Sequence, residues 1–435
     1  MNVRTSLSVV LASLLLLAGA RAAELNDDER RVVDWVDAHA EDAIALLGET
    51  VSISSGTMNH DGVREVGQVM RRELDSLGLT TEWIDMPPEV NRAGHLVGRK
   101  DGKGKKILLI GHLDTVFEAD DAFQSFVRDG DTASGPGIDD MKSGNVIIVY
   151  ALKALQEIGA LDDIAVQVVY SGDEEKPGEP MSIARRDLVA AGKWADVALG
   201  FESAVNYDGQ DWATIARRSS SSWVLEVEGQ QAHSSGIFSE HTGAGAIFEA
   251  ARILNGFYEE VRGEEHLTFN AGTFQGGTDV EYDVQQNRGS TFGKTNVVPR
   301  KVIVHGGIRT ISLEQLERTR EKMRGVVAGN LPLTSATITF KDGYPPMSPT
   351  EGNARLQVEF SAINEALGRG PMPALDPSRR GAADISFVAP YTDGLAGLGA
   401  LGSGGHTPNE SLDLTTLPLA IKRAAILIYR LGAGP

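Results

Sequence analysis

The chain has 435 residues, room for two or three domains at about 150 residues each. Its 60 acidic residues outweigh 41 basic ones, and a formal charge of -19 argues against nucleic acid and anionic membrane surfaces as partners. Cysteine is absent, which excludes disulfides and thiolate ligands, so any bound metal must be held by His, Asp and Glu.

The N-terminus carries Arg4, an apolar run over 7–17 and the small-x-small triplet Ala20-Arg21-Ala22. That run is shorter than the ~20 residues that span a bilayer. It reads as a signal peptide over 1–23, cleaved to leave a periplasmic or secreted protein with no membrane attachment.

Apolar spacing predicts helices over 29–47 and 63–77, the second stopped by Gly78. The run 107–110 predicts a buried strand, followed by a polar loop rich in Asp and Gly. A helix over 143–158, a strand over 164–170, a helix over 181–191 and a strand over 197–201 follow. This alternation predicts a mostly parallel sheet covered by helices. The rhythm changes near Arg217. Strands over 222–228, 267–274, 302–309 and 336–340, with helices over 242–257 and 313–327, describe an α+β unit. Residues 279–294 are polar and aperiodic and read as a long loop. After Pro345 come a helix over 354–367, a strand near 385–388 and an amphipathic helix over 417–431. The expected fold is α/β. A discontinuous domain over 24–215 and 344–435 is interrupted by an inserted α+β domain over 216–343.

Chemistry-bearing residues gather at the strand ends. His112 and Asp114 follow the run 107–110, and ligands of open α/β sheets sit at the carboxyl ends of strands. Gly135-Pro136-Gly137-Ile138-Asp139-Asp140-Met141-Lys142 surrounds paired acids with glycines that permit tight turns. Asp173-Glu174-Glu175 follows the strand 164–170, and three adjacent carboxylates repel unless solvent or a cation gathers them. Glu202 ends the strand 197–201, and His406 lies in the glycine-rich loop Gly404-Gly405-His406. Two histidines and several carboxylates without a thiol suit Zn²⁺, Mn²⁺ or Co²⁺.

Gly-His-x-Asp-Thr-Val, Gly-Pro-Gly-Ile-x-Asp-x-Lys and Asp-Glu-Glu-Lys occur here in that order. Through them the chain resembles the co-catalytic zinc metallopeptidase family of bacterial glutamate carboxypeptidase, aminoacylase and succinyl-diaminopimelate desuccinylase. The likeness is closest to the glutamate carboxypeptidase branch. It implies a zinc-exopeptidase-like catalytic domain with an inserted dimerisation (lid) domain, and two Zn²⁺ per chain, with Co²⁺ or Mn²⁺ as substitutes. It assigns His112 and Glu202 to one metal, His406 and Glu175 to the other, and Asp140 as the bridge. Glu174 becomes the general base, and Asp114 orients the His112 ring. The resemblance also implies a cis peptide at Asp140-Met141. In the inserted domain it makes His233 an oxyanion donor reaching the partner subunit of a homodimer. Asn296 and Arg309 become substrate-binding residues, Arg309 taking the substrate carboxylate through two parallel hydrogen bonds.

Departures from the family pattern touch the substrate side. Gly307 replaces the acid two before Arg309, Ser143 replaces a glycine, and Gly381-Ala382-Ala383-Asp384 replaces Gly-Gly-Thr-Asp. Residues 176–180 replace a shorter turn, and 279–294 is longer than usual. The expected activity is a carboxypeptidase acting on small peptides with a free carboxylate, releasing C-terminal glutamate or a similar residue. The rival readings are an N-acyl amino acid amidohydrolase or dipeptidase with the same site, a metal-fold binding protein without catalysis, and an acidic calcium-binding protein. The retained Glu174 weighs against the second rival, and His112 and His406 against the third.

Overall fold

Strand Lys106–His112 sets the architecture, because successive side chains point to opposite faces of a sheet. Ile107 and Leu109 enter one buried core; Leu108 and Ile110 enter another. The sheet is therefore covered on both sides, as its continuous apolar strands require. Its order is Thr80–Ile84, His95–Lys100, Ala165–Ser171, Lys106–His112, Val197–Gly200, Asp393–Leu395. The last four run parallel, and the first two join by antiparallel pairing. Helices Ser143–Glu157 and Thr416–Gly432 supply Val146, Ile147, Ala424 and Ile428 to the first core. Helix Arg186–Trp194 supplies Leu188 and Ala191 to the other. Each fully buried Leu or Ile contributes about 1.5–3 kcal/mol, against about 0–1 for an exposed ion pair, so the two cores hold this sheet.

This computed structural model describes residues 24–283 and 288–433. The signal-peptide reading lies outside the described residues. Among those described, no helix is long and apolar enough to cross a membrane.

Between Gly200 and Asp393 the chain builds a second, four-stranded antiparallel sheet. Its order is Thr268–Gly277, Lys301–Arg309, Ser220–Gly229, Thr334–Tyr344. Trp223, Leu225, Val227, Val302 and Val304 face helices Gly245–Gly256 and Leu313–Ala328 across a core of their own. The opposite face carries Ser222, Val224 and Glu226. The fold is thus α/β, with a mostly parallel central sheet and an additional antiparallel sheet inserted into it.

Several sequence expectations are corrected. Within the span read as a loop, Asp279–Asp283 and Arg288–Phe292 form an antiparallel pair of strands. Val280 and Tyr282 alternate with acids there, but the pair is too polar for periodicity to reveal it. Residues Ile385–Val388 form a short helix, and the strand expected there is Asp393–Leu395 instead. A four-residue stretch with three apolar side chains cannot distinguish the two by period. The helix expected over 29–47 is two, Asp27–Ala38 and Ala40–Val51, broken at His39. That over 181–191 is likewise two, Met181–Ala184 and Arg186–Trp194.

Candidate metal and catalytic site

The parallel strands Lys106–His112, Ala165–Ser171 and Val197–Gly200 end side by side, with His112 in register with Ser171 and Ile110 with Gly200. His112, Glu174, Glu175 and Glu202 all lie at or just past these ends, where an open sheet presents its ligands. Asp140 arrives on the turn Ile138–Lys142 at the head of helix Ser143–Glu157, and its peptide to Met141 is cis. His406 comes from the loop between Gly402–Ser403 and Ser411–Asp413. Its φ of 62° lies in the left-handed region, uncommon outside glycine and concentrated at functional sites.

These elements converge on Asp140. His112 Nε2 lies 3.2 Å from its Oδ1, and His406 Nε2 lies 3.1 Å from its Oδ2. Glu202 Oε1 stands 3.8 Å from His112 Nε2, and Glu175 Oε2 stands 3.2 Å from His406 Nε2. Two trios result, His112–Asp140–Glu202 and Asp140–Glu175–His406. In each, one ligand atom per residue lies within 4.8 Å of the others. They share Asp140, so the arrangement is that of a two-metal centre with one bridging carboxylate. The donors fit such a centre: they are imidazole and carboxylate only, and Glu175 Oε1 is buried without a hydrogen-bond partner among the described residues.

Electrostatics point the same way. Burial pushes the Glu175 carboxyl up to about 7, against the pull of His406. Burial likewise raises Glu202, with Asp140 adding to the effect. Hydrogen bonds to Asp140 and Glu175 push His406 up to about 11. Burial opposes charge on His112, but Asp114 and Asp140 outweigh it and hold the ring well above its ordinary value. The metal-free site thus keeps protons that a cation must displace. Metal affinity is expected to rise with pH, and binding at neutral pH to release protons. Calorimetry in buffers of different ionisation enthalpy measures that release, and buffer-independent heats would contradict it.

Asp114 is buried, and its role is wider than the sequence suggested. The His112 Nδ1 contact at 3.0 Å is to the Asp114 main-chain carbonyl; the carboxylate Oδ1 stands 3.4 Å away. That carboxylate also accepts from Thr57 Oγ1 at 2.6 Å and from the backbone N–H groups of Glu174 and Glu175 at 2.9 and 3.1 Å. It therefore orients the imidazole and anchors the acidic loop together. Glu174 lines a cleft of about 520 Å³ that also receives Glu175, Arg309, Lys341, Tyr344 and Gly381. Burial, with Glu202, Asp384 and Glu175 adding to it, holds the Glu174 carboxyl well above its usual range.

Arg309 ends its strand on the cleft, beside the loop at Gly381. His233 and Asn296 are not brought to the cluster within one chain. Their segments pair instead: the Ser234 N–H donates to the Asn296 carbonyl at 2.9 Å, and His233 bridges to Val297. His233 is exposed, its Nδ1 2.8 Å from Ser235 Oγ. One contributor escaped the sequence reading. The buried Glu410 carboxylate accepts from the N–H groups of Gly137, Asp139 and Asp140 at 3.1, 2.8 and 3.0 Å, fixing the turn that carries Asp140. No local motif signals it, because its partners lie some 270 positions away.

Two histidines and two glutamates around a shared aspartate, with a separate acid beside them, define a metal-dependent hydrolase. The sequence pattern of peptidase family M20/M25/M40 matches residues 108–430, and the chain belongs to that family. It is 26% identical to carboxypeptidase G2 of Pseudomonas sp. (strain RS-16) over 99% of this chain and 98% of that one. It is 24% identical to succinyl-diaminopimelate desuccinylase of Gluconacetobacter diazotrophicus, over 86% and 93% of the two chains. Its fold superposes on aminopeptidase PepT of Bacillus cereus with a TM-score of 0.72 at 19% identity, covering 90% of this chain and 98% of that one.

Proposed function

We propose that this chain is a zinc-dependent exopeptidase, acting in the periplasm or outside the cell, that cleaves an amide bond next to a free carboxylate. Its preferred product is a C-terminal glutamate or similar amino acid. The observation that carries this reading is Arg309. It lies on the same cleft as Glu174 and Glu175, and makes no ion pair among the described residues. A guanidinium left open beside a hydrolytic site matches a substrate carboxylate. The full-length likeness to carboxypeptidase G2 supports the same choice.

His112, Glu202, Asp140, Glu175 and His406 would hold the ions, which when bound polarise the scissile carbonyl and acidify water. Glu174, with its raised proton affinity, takes the proton of the attacking water and returns it to the leaving amine. Asp114 keeps the His112 ring and the Glu174–Glu175 backbone in place. Arg309 sets the substrate's register by its carboxylate. The likeness to a desuccinylase favours a second reading, hydrolysis of N-acyl amino acids by the same site. A panel of acyl-glutamates, folates, N-acyl derivatives of neutral amino acids and unmodified dipeptides separates them. Preference for folates and other acyl-glutamates supports the first reading; equal or better turnover of the N-acyl neutral amino acids, or turnover confined to dipeptides, contradicts it.

His233 and Asn296 enter this reading through a homodimer, in which a symmetric partner would carry them to the opposite site. Mixing His233→Ala with Glu174→Ala under subunit exchange then restores one working site per mixed dimer. Oxyanion donors are worth about 10²–10³ in rate, so the recovered activity stands well above both parents. No recovery after confirmed exchange removes His233 from the mechanism in trans.

A further inference from the structure

The peptide of Glu174 is gripped from both sides. Its N–H donates to Asp114 Oδ1 at 2.9 Å, and its carbonyl accepts from the Tyr344 hydroxyl at 2.8 Å. Tyr344 is the last residue of strand Thr334–Tyr344 in the second sheet. A tyrosine hydroxyl has one proton to give. Tyr344 gives it to Glu174, and its oxygen accepts in turn from Arg185 Nη2 at 2.7 Å.

Arg185 is 2% exposed, and its donors are fully engaged. Nε donates to Asp384 Oδ1 at 2.8 Å. Nη1 donates to Asp173 Oδ1 at 2.5 Å and to the Ala184 carbonyl at 3.4 Å. Nη2 donates to the Asp173 carbonyl at 3.0 Å as well as to Tyr344. Asp173 Oδ2 accepts from the Gly178 N–H at 2.7 Å, and Asp384 accepts from the Ser171 hydroxyl. One buried guanidinium therefore joins the 171–179 loop, the 381–384 loop and the end of the inserted sheet, all three of which border the cleft.

A buried ion pair is a weak source of stability, because desolvation offsets its attraction. What this one supplies is a fixed direction. We propose that Tyr344 and Arg185 are a positioning pair that sets the Glu174 backbone, so that the placement of the proton-carrying carboxylate follows the orientation of the inserted sheet. The proposal rests on Glu174 being that carboxylate.

Tyr344→Phe removes the hydroxyl and keeps the ring, whose centroid is 4.9 Å from that of Phe387. The comparison is Phe387→Leu, which removes the ring contact and keeps both hydrogen bonds. Both are loaded with zinc and followed by amide exchange and by turnover of N-benzoyl-L-glutamate. For Tyr344→Phe, the expected result is faster exchange across 171–179 with zinc content unchanged. A misplaced group costs up to about a hundredfold in rate, so kcat should fall about tenfold or more. KM should stay within about twofold, as expected when only transition-state interactions are lost. Phe387→Leu should lower Tm and leave kcat and loop exchange unchanged. Unaltered exchange in Tyr344→Phe overturns the proposal, as does an equal loss of kcat in Phe387→Leu. A wild-type protein that ignores N-benzoyl-L-glutamate counts against the proposed substrate class instead, and amide exchange alone then decides the positioning role.

Discussion

Glu174→Ala is expected to bind its full complement of metal and to lose turnover by about 10²–10⁴-fold, the range for removing a general acid–base group. The reason is geometric. Glu174 belongs to neither trio of ligand atoms, although it adjoins Glu175, which belongs to one. Its backbone is pinned by Asp114, the residue lines the cleft, and its carboxyl has a raised proton affinity. Glu175→Ala is the matched control and should lose metal from the His406 side. Elemental analysis beside initial rates reads both variants. If Glu175→Ala keeps all its metal while Glu174→Ala loses an ion, the two roles are exchanged.

Asp140→Ala is expected to empty both metal positions. Each oxygen of this carboxylate faces a different imidazole, at 3.2 and 3.1 Å, and both ligand trios include it. Losing a partner that merely orients a ligand weakens a metal site by about 10–100-fold, so losing a shared ligand should exceed that at both positions. The thermal stabilisation that zinc confers by mass action should vanish with it. Full occupancy in the variant contradicts the bridge. Retention of one ion reduces Asp140 to a ligand of a single site.

The sequence disclosed those residues whose signal is local. His112 closes an apolar run, Glu174 and Glu175 follow another, and Asp140 sits among glycines, so each shows itself within ten residues. His406 had only a glycine-rich loop around it and gained meaning from the family pattern. What stayed hidden depends on distant partners. Glu410 reaches back to the Asp140 turn, Tyr344 to Glu174, and Arg185 to Asp384. No periodicity records such contacts, since tertiary packing creates them. Secondary structure failed for related reasons. The strands Thr80–Ile84 and His95–Lys100 carry no clear pattern because charges and a glycine interrupt them, and pairing in the sheet overrides that weak propensity. The short helix Ile385–Val388 is buried against the sheet, so its apolar run imitates a strand.

Titration of metal-free protein with zinc, while free glutamate is measured from N-benzoyl-L-glutamate, tests the central claim most directly. Two ligand trios sharing Asp140 require glutamate release to climb and reach its plateau at two zinc equivalents per chain. Release that is complete without added metal, or no release at any zinc level, would contradict a two-metal hydrolase acting beside a free carboxylate.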